Sequence, residues 1–457
     1  MTDTWWCEHA WLGGDSREEP ADGVLFTVND GSITAIDTDA AAQPGSHRLR
    51  GLVIPGLANA HSHAFHRALR ARTQRDRGSF WTWRDLMYRA AERLNPDRYR
   101  RLTRAVYAEM ALAGITSVGE FHYVHHEAGG VHYAEPNAMG QAVIDGAADA
   151  CIRLTLLDTC YLSSGPDGSP LTGPQQRFGD GTGDRWAERV EALRQQVGVT
   201  PSVLVGAALH SVRGVPVEHM PAVVEWSAAH GVPLHVHSSE QTREVEQCLA
   251  VHGGTPTAVL RDVGALGPRT TAVHATHLTP EDLADMDRTS TGVCFCPTTE
   301  RDLGDGIGPA PALLAGRGLF SLGSDSHAVI DLFEEARAVE LDERLASRTR
   351  GTIAADRLLR AATYDGHRAL GWADAGELVV GARADFVAVQ IDSIRTAGGG
   401  ATAENVVFAA AAPDVTDVVV DGRAVVVDRK HVTVPDVGAE LASAIADLMD
   451  ASLEATR

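Results

Sequence analysis

From Leu52 to about residue 327 the chain alternates eight short apolar runs with longer stretches whose apolar residues recur every three or four positions. The runs are "GLVIPGLANAHSH", "ITSVGEFHYV", "IRLTLLDTCYL", "SVLVGAALHSV", "PLHVHSSE", "TTAVHATHL", "TGVCFCPTT" and "GLFSLGSDSH". Stretches between them, such as "RRLTRAVYAEMALAG" and "PVEHMPAVVEWSAAHG", carry helical periodicity and end in glycine, a helix stop. The simplest fold with this alternation is a parallel (β/α)8 barrel, which takes roughly 250 residues or more as one domain. An open doubly wound sheet alternates in the same way, but it would not gather polar strand ends around one point.

Such polar ends are present. The runs finish on His61 and His63, Glu120 and Tyr123, His210 and Arg213, His237 and Glu240, His274 and His277, and Asp325 and His327. In a barrel the C-terminal strand ends converge on one face, so residues far apart in sequence would share one pocket.

The two ends of the chain read differently. "GVLFTVNDGSITAIDTDA" and "VTDVVVDGRAVVVDR" are alternating strands around Asn-Asp-Gly and Asp-Gly turns, a hairpin signal. Neither alone makes a stable β domain. The expectation is that residues 1–55 and 372–457 pair into one small β-sandwich beside a barrel spanning 56–371. The Gly- and Pro-rich segment Gly165 to Asp184 follows the third strand and is expected to lie as a long loop over the barrel mouth.

Composition excludes several function classes. With 40 Lys and Arg against 61 Asp and Glu, the formal charge is −21, which repels a polyanion such as nucleic acid. No apolar run reaches the roughly 18 residues that cross a bilayer, and the start lacks a basic flank followed by an apolar core; the chain reads as cytoplasmic, with no membrane partner. Six scattered cysteines form no C-x-x-C pair and read as buried thiols. In "GDGIG" the glycines do not lead from a strand into a helix, so a nucleotide loop is not expected there.

His61 and His63, one residue apart, would normally point to opposite faces of a strand, and alone they suit two solvated histidines as well as a metal. A frayed strand end lets both grip one ion, and His237 and Asp325 supply a third nitrogen and a carboxylate. Three neutral imidazoles with one carboxylate suit a single zinc ion, and the set also accepts iron or manganese. Zinc with an open position lowers the pKa of bound water to about 7. Glu240, three residues past His237, is placed to take the water's proton and pass it to a leaving nitrogen, unless it is a surface glutamate opening a helix. His274 would polarise the substrate, and Asp325 could share the proton work.

This constellation resembles the amidohydrolase superfamily over nearly the whole chain, on "VIPGLANAHSH", "HVHSSE", "AVHATH", "GSDSH" and "GELVVGARADFVAV". The fourth strand offers His210 where a bridging lysine would otherwise stand, which implies one metal and the superfamily's deaminase branch. Within that branch "HSHAFHRAL", "SFWTWRDLMYR", "EFHYVHH", "LHSVRGV", "HVHSSEQ" and "CFCPTTERDLGDGI" look most like the N-formimidoyl-L-glutamate deiminases of histidine degradation. The resemblance implies hydrolysis of that substrate to N-formyl-L-glutamate and ammonia, and a homodimer. It makes His61, His63, His237 and Asp325 the metal ligands and Glu240, His274 and Asp325 the catalytic groups.

The substrate implied is a small dicarboxylate. Arg84 and Arg213 could each clamp a carboxylate through paired hydrogen bonds, with Tyr123 and His210 holding the glutamate part; singly, either arginine would read as a solvated cation. Where the resemblance leads one to expect glutamine, the chain has His66. It can still hydrogen-bond the substrate, and with an ordinary pKa near 6.5 it would add an acid limb to the pH profile. The segment "RALRARTQRDRGSF" is also more basic than expected, and "AVIDLFEEAR" stands where a Ser-containing segment is expected. Rival readings are a deaminase of the same branch acting on a purine, adenosyl or other amidine substrate, and a metal-binding protein without activity.

Overall fold

The computed structural model describes residues 2–13, 19–74 and 80–449. Residues 75–79, part of the basic stretch after the first histidine pair, lie outside the described residues, as do 450–457. Two eight-strand sheets organise the chain. The first begins with β1 (Thr2–Ala10), β2 (Ala21–Asn29), β3 (Ser32–Asp37) and β4 (His47–Pro55). The chain then enters the second sheet, made of β5 (Leu57–Ser62), β6 (Ile115–His122), β7 (Arg153–Cys160), β8 (Val203–Ser211), β9 (Leu234–Ser238), β10 (Thr270–His274), β11 (Gly292–Phe295) and β12 (Phe320–Leu322). It returns to the first with β13 (Phe386–Val389), β14 (Val415–Val420), β15 (Arg423–Val427) and β16 (Lys430–His431).

The second sheet runs β12 to β5 in unbroken sequence order, each neighbouring pair parallel. It is the eight-strand barrel expected from the alternation. The interleaved helices show why the sequence pattern is legible. In the helix Pro96–Leu112, Tyr99, Leu102, Val106 and Met110 fall on one buried face, Asn95 Oδ1 accepts from the Arg98 amide as N-cap, and Gly114 follows at φ 87°. The helix Met220–His230 stops on Gly231 in the left-handed region.

Closure between β12 and β5 takes a different form. β12 is three residues long, and its described link to β5 is a bridge between Ser62 and Asp325 just beyond it. The Asp325 amide donates to His61 O at 3.0 Å and the His63 amide to Asp325 O at 3.2 Å. Asn59 adds a side-chain clasp, donating to Ser324 Oγ at 2.7 Å and accepting from the Ser324 amide at 2.9 Å. Gly323 allows this approach: a Cβ there would lie 2.7 Å from His61 Cβ and 2.8 Å from His61 O.

The terminal strands pair in the order β16-β15-β14-β13-β4-β1-β2-β3, mixing both chain ends in one sheet. Both hairpin signals hold: Asp30 and Gly31, and Asp421 and Gly422, take positive φ at adjacent turn positions. Phe26, Trp5 and Phe386 pack in its buried cluster. A fully buried Arg153 at the start of β7 ties this sheet to the barrel, with Nη1 2.6 Å from Asp385 and Nη2 2.6 Å from Asp421. Past the sheet, the helix Val437–Met449 returns to the barrel, where Arg101 pairs with Asp447.

Candidate metal centre and active site

His61 is the penultimate residue of β5 and His63 lies one past its end, where φ −124° and ψ 88° turn its ring to the same side. Asp325 follows β12 at φ 40° and His274 ends β10 at φ 69°, left-handed conformations that non-glycine residues adopt at a cost of about 1–3 kcal/mol. This strained backbone aims both side chains into the barrel mouth. The four residues read as ligands, His61, His63, His237 and Asp325, come together, their ligating atoms within 4.8 Å of one another and all buried. His61 Nε2 is 3.1 Å from His237 Nε2 and 3.3 Å from Asp325 Oδ1, and His63 Nε2 is 3.4 Å from the same oxygen.

The donor set fits a divalent ion. His63 Nδ1–H donates to Phe121 O at 3.1 Å and His237 Nδ1–H to His210 O at 2.9 Å, which leaves each Nε2 with an unprotonated lone pair. Burial holds all three imidazoles below their ordinary pKa, hence neutral. The Nε2 lone pairs of His63 and His237 therefore converge with the His61 ring and a carboxylate oxygen, at separations of 3.1–3.4 Å about His61 and Asp325, a donor set that suits a cation. His61 Nδ1 has no hydrogen-bond partner among the described residues; Phe121, 5.1 Å from its ring, packs against it.

Two buried glutamates to which the sequence pattern assigns no role hold this centre. Glu120, fully buried in β6, accepts from Ser62 Oγ and from the Ala64 amide, both at 2.7 Å. Those residues flank His63, so one carboxylate fixes the loop that presents it. Burial pushes Glu120 up to about 7, against the hydrogen bonds that favour its ionised form. Glu300 lies 3.3 Å from His274 Nδ1 and accepts from the Cys296 amide at 2.9 Å. Burial opposes charge on His274, yet Glu240, Glu300 and Asp325 hold its pKa well above the ordinary histidine value. Glu120 is one of the polar strand ends of the sequence, whereas Glu300 lies in the helix Pro297–Leu303 that follows β11, where its residue type alone marks no role.

The cavity at the barrel mouth is lined by His66, Arg84, Tyr123, His210, Arg213, Glu240 and His274, together with His63, His237 and Asp325. Every side chain read as catalytic or substrate-binding thus faces one space, with Trp83, Met87, Tyr88 and Tyr161 added by the structure. His210 stacks on Tyr161 at 3.9 Å and is held neutral, first by burial and then by the charges of Arg213 and Arg84. Arg84 lies over the Tyr88 ring at 5.4 Å. Arg213 Nη2 is 3.5 Å from Glu240 Oε2 and Nε is 3.5 Å from Glu244. Glu240 itself is buried, and that burial raises its pKa against the pull of His274 and Arg213.

His66 departs from the reading of its sequence. It is 2 % exposed, its Nε2 lies 3.0 Å from Tyr123 Oη, and burial lowers its pKa to about 3. A ring so held stays neutral in the physiological range, so the acid limb near pH 6.5 that a free imidazole would give is not expected from it. The Gly165–Asp184 loop does border the mouth, Ser164 to Asp167 lining an outer chamber with Arg84, Arg213 and Arg243.

A second group, His122, His125 and Asp158, also brings its nitrogen and oxygen atoms within 4.8 Å. There the cation is already present: Arg189 donates to both Asp158 oxygens at 2.9 and 2.8 Å, and Trp186 Nε1 donates at 2.9 Å. His125 Nε2 is committed to Thr159 O. This group is a structural ion network. Cys294 and Cys296 of the "CFC" run are both buried, as expected.

Comparison with known proteins agrees with this geometry. Formimidoylglutamate deiminase of Pseudomonas aeruginosa is 38 % identical over 425 residues, 90 % of this chain and 92 % of that protein. The 8-oxoguanine deaminase of the same organism is 30 % identical over 384 residues, covering 82 % and 83 %. An amidohydrolase from Brucella melitensis superposes with a TM-score of 0.90 at 32 % identity, covering 98 % of this chain and all of that one. The amidohydrolase family profile matches residues 52–425, and the chain belongs to the amidohydrolase family.

Proposed function

We propose that this protein hydrolyses the C=N bond of N-formimidoyl-L-glutamate, a step of histidine degradation, releasing N-formyl-L-glutamate and ammonia. The observation that carries the reading is the meeting, in one cavity, of a three-histidine, one-aspartate centre with Arg84 and Arg213. A divalent ion bound there, zinc by the donor set with iron or manganese as substitutes, supplies Lewis-acid activation of water at the amidine carbon.

The chain's own groups do the rest. Arg84 and Arg213 pair with the two carboxylates, while Tyr123 and neutral His210 and His66 donate or accept along the glutamate backbone. Glu240 Oε takes a proton from the attacking water and delivers it to the amidine nitrogen, and the remaining proton of that water follows by way of Glu240 and Asp325 as the carbonyl forms and the nitrogen leaves as ammonia. His274, held cationic between Glu240, Glu300 and Asp325, donates toward the developing negative charge. Water and amidine together supply every atom of N-formylglutamate and ammonia. The 38 % identity to a formimidoylglutamate deiminase supports the choice of substrate.

The test is to incubate zinc-loaded protein with N-formimidoyl-L-glutamate and analyse both products, with a chelated sample as control. Ammonia with N-formylglutamate, lost on chelation and restored by zinc, is expected. Formamide with glutamate would mean that another bond breaks. Turnover of 8-oxoguanine in place of the amidine would move the substrate to aminated heterocycles, for which the aromatic wall of Trp83, Tyr88 and Tyr161 would serve as a stacking surface.

A further inference from the structure

Arg177 lies in the short turn Gly173–Phe178 of the loop after β7 and is 1 % exposed. Its guanidinium spreads over three backbone carbonyls: Nε donates to His126 O at 2.8 Å, Nη2 to Leu94 O at 2.8 Å, and Nη1 to Ala91 O. Ala91 and Leu94 close the C-terminal end of the helix Phe80–Arg93, where carbonyls have no partner inside the helix and a positive charge is favoured. This helix presents Trp83, Arg84, Met87 and Tyr88 to the cavity, positions spaced to share one face.

The backbone of the same residue grips a second element. Arg177 O accepts from the amides of His125 and His126 at 3.1 and 3.0 Å, just past Tyr123. Phe178, fully buried, packs against Tyr88, Tyr123 and Tyr161 with ring centroids 6.2, 5.0 and 5.3 Å away. The turn is fixed in its own right, since Asp180 accepts from Arg189 at 2.9 and 3.0 Å and lies 3.2 Å from His126 Nε2.

We propose that Arg177 is a positioning residue for substrate recognition, setting the tilt of the helix Phe80–Arg93 against the end of β6 and thereby the reach of Arg84 across the cavity. The inference rests on the reading of Arg84 as a carboxylate clamp. Seven residues separate Arg84 from Ala91, about 10 Å of helix. A tilt of about 5° at the anchored end displaces Arg84 by about 1 Å, enough to spoil a bidentate contact.

The experiment compares wild type, Arg177→Met, Arg177→Lys, Arg84→Ala and the double variant R84A/R177M, all full-length and zinc-loaded. Kinetics on N-formimidoyl-L-glutamate are read beside hydrogen exchange and metal content. R177M is expected to raise KM about ten-fold, with kcat within about three-fold and metal content unchanged. Exchange should accelerate about ten-fold in the helix Phe80–Arg93 but not in the barrel strands. Lys should restore part of the KM, and in the R84A background R177M should raise KM less than about two-fold.

A full ten-fold rise in the R84A background, or exchange accelerated throughout the barrel, would overturn the proposal. Should R177M not fold, R177K decides alone: a KM raised about three-fold with helix-confined exchange supports it, and wild-type behaviour in both refutes it. If wild-type protein does not turn over this substrate, the proposed function fails. The exchange comparison then still decides whether Arg177 holds the helix.

Discussion

Replacing Glu120 by glutamine should remove a loss of stability that the metal-free protein suffers as pH rises, while weakening the centre it serves. The carboxylate is fully buried and accepts from Ser62 Oγ and the Ala64 amide, yet burial leaves its pKa at about 7 against an ordinary 4.5. At 1.36 kcal/mol per pH unit, that difference is about 3 kcal/mol. The sign follows from the raised value: the folded chain holds this proton more tightly than the unfolded chain, so wild-type stability falls as pH rises from about 4.5 through about 7. The Glu120→Gln side chain does not titrate, so the variant is spared that loss.

The thermal midpoint of the metal-free variant relative to metal-free wild type should therefore shift upward by a few degrees between about pH 5 and about pH 8. The amide cannot serve both donors as a carboxylate does, so the loop carrying His63 loosens. Metal affinity measured by competition with a chelator should drop about 10- to 100-fold, with activity following. Parallel stability curves for the two proteins across that range would refute the reasoning on burial. Unchanged metal affinity would refute the role assigned to Glu120 in holding His63.

Three further outcomes are expected. Arg84→Ala and Arg213→Ala should each raise KM for formimidoylglutamate about ten-fold or more, and R213A should also lower kcat because Arg213 lies 3.5 Å from Glu240; two variants with wild-type KM would end the dicarboxylate reading. The profile of kcat/KM should be bell-shaped, its acid limb above the ordinary glutamate range because burial raises Glu240, and its alkaline limb above the ordinary histidine range where His274 loses its proton. His274→Asn should abolish the alkaline limb, and a limb unchanged in that variant would assign it elsewhere. Gly323→Ala forces a methyl to within 2.7 Å of His61 Cβ, costing about 1–3 kcal/mol; metal content per chain should fall while circular dichroism stays that of wild type.

The barrel and its ligands can be read from sequence because each strand announces itself locally: an apolar run, a polar end and a helix after it. Asp325 and His61 are 264 positions apart, but both close a run, and the barrel's geometry does the joining. What stays hidden depends on facts no local pattern carries. Glu120 looks like any acid at a strand end until Ser62 and Ala64 are found donating to it. Arg177 sits in a Gly- and Pro-rich loop that reads as a mouth cover, and its burial against Ala91 and Leu94 requires the loop to fold inward. The lowered pKa of His66 is hidden for the same reason, since residue type fixes the starting value and burial the shift.

The ring of strands is fastened at one place by very little backbone. β12 is short, and the described backbone-to-backbone hydrogen bonds at its seam with β5 come from His61, His63 and Asp325 themselves. The ion these side chains fit would act as the rivet of a hoop, so architecture and reactivity share one fastening. A descendant of this chain that lost its metal ligands would not drift quietly into an inert scaffold. It would keep the two backbone bonds and the Asn59–Ser324 clasp but lose the rivet, so the same substitutions that silence the chemistry would also loosen this seam.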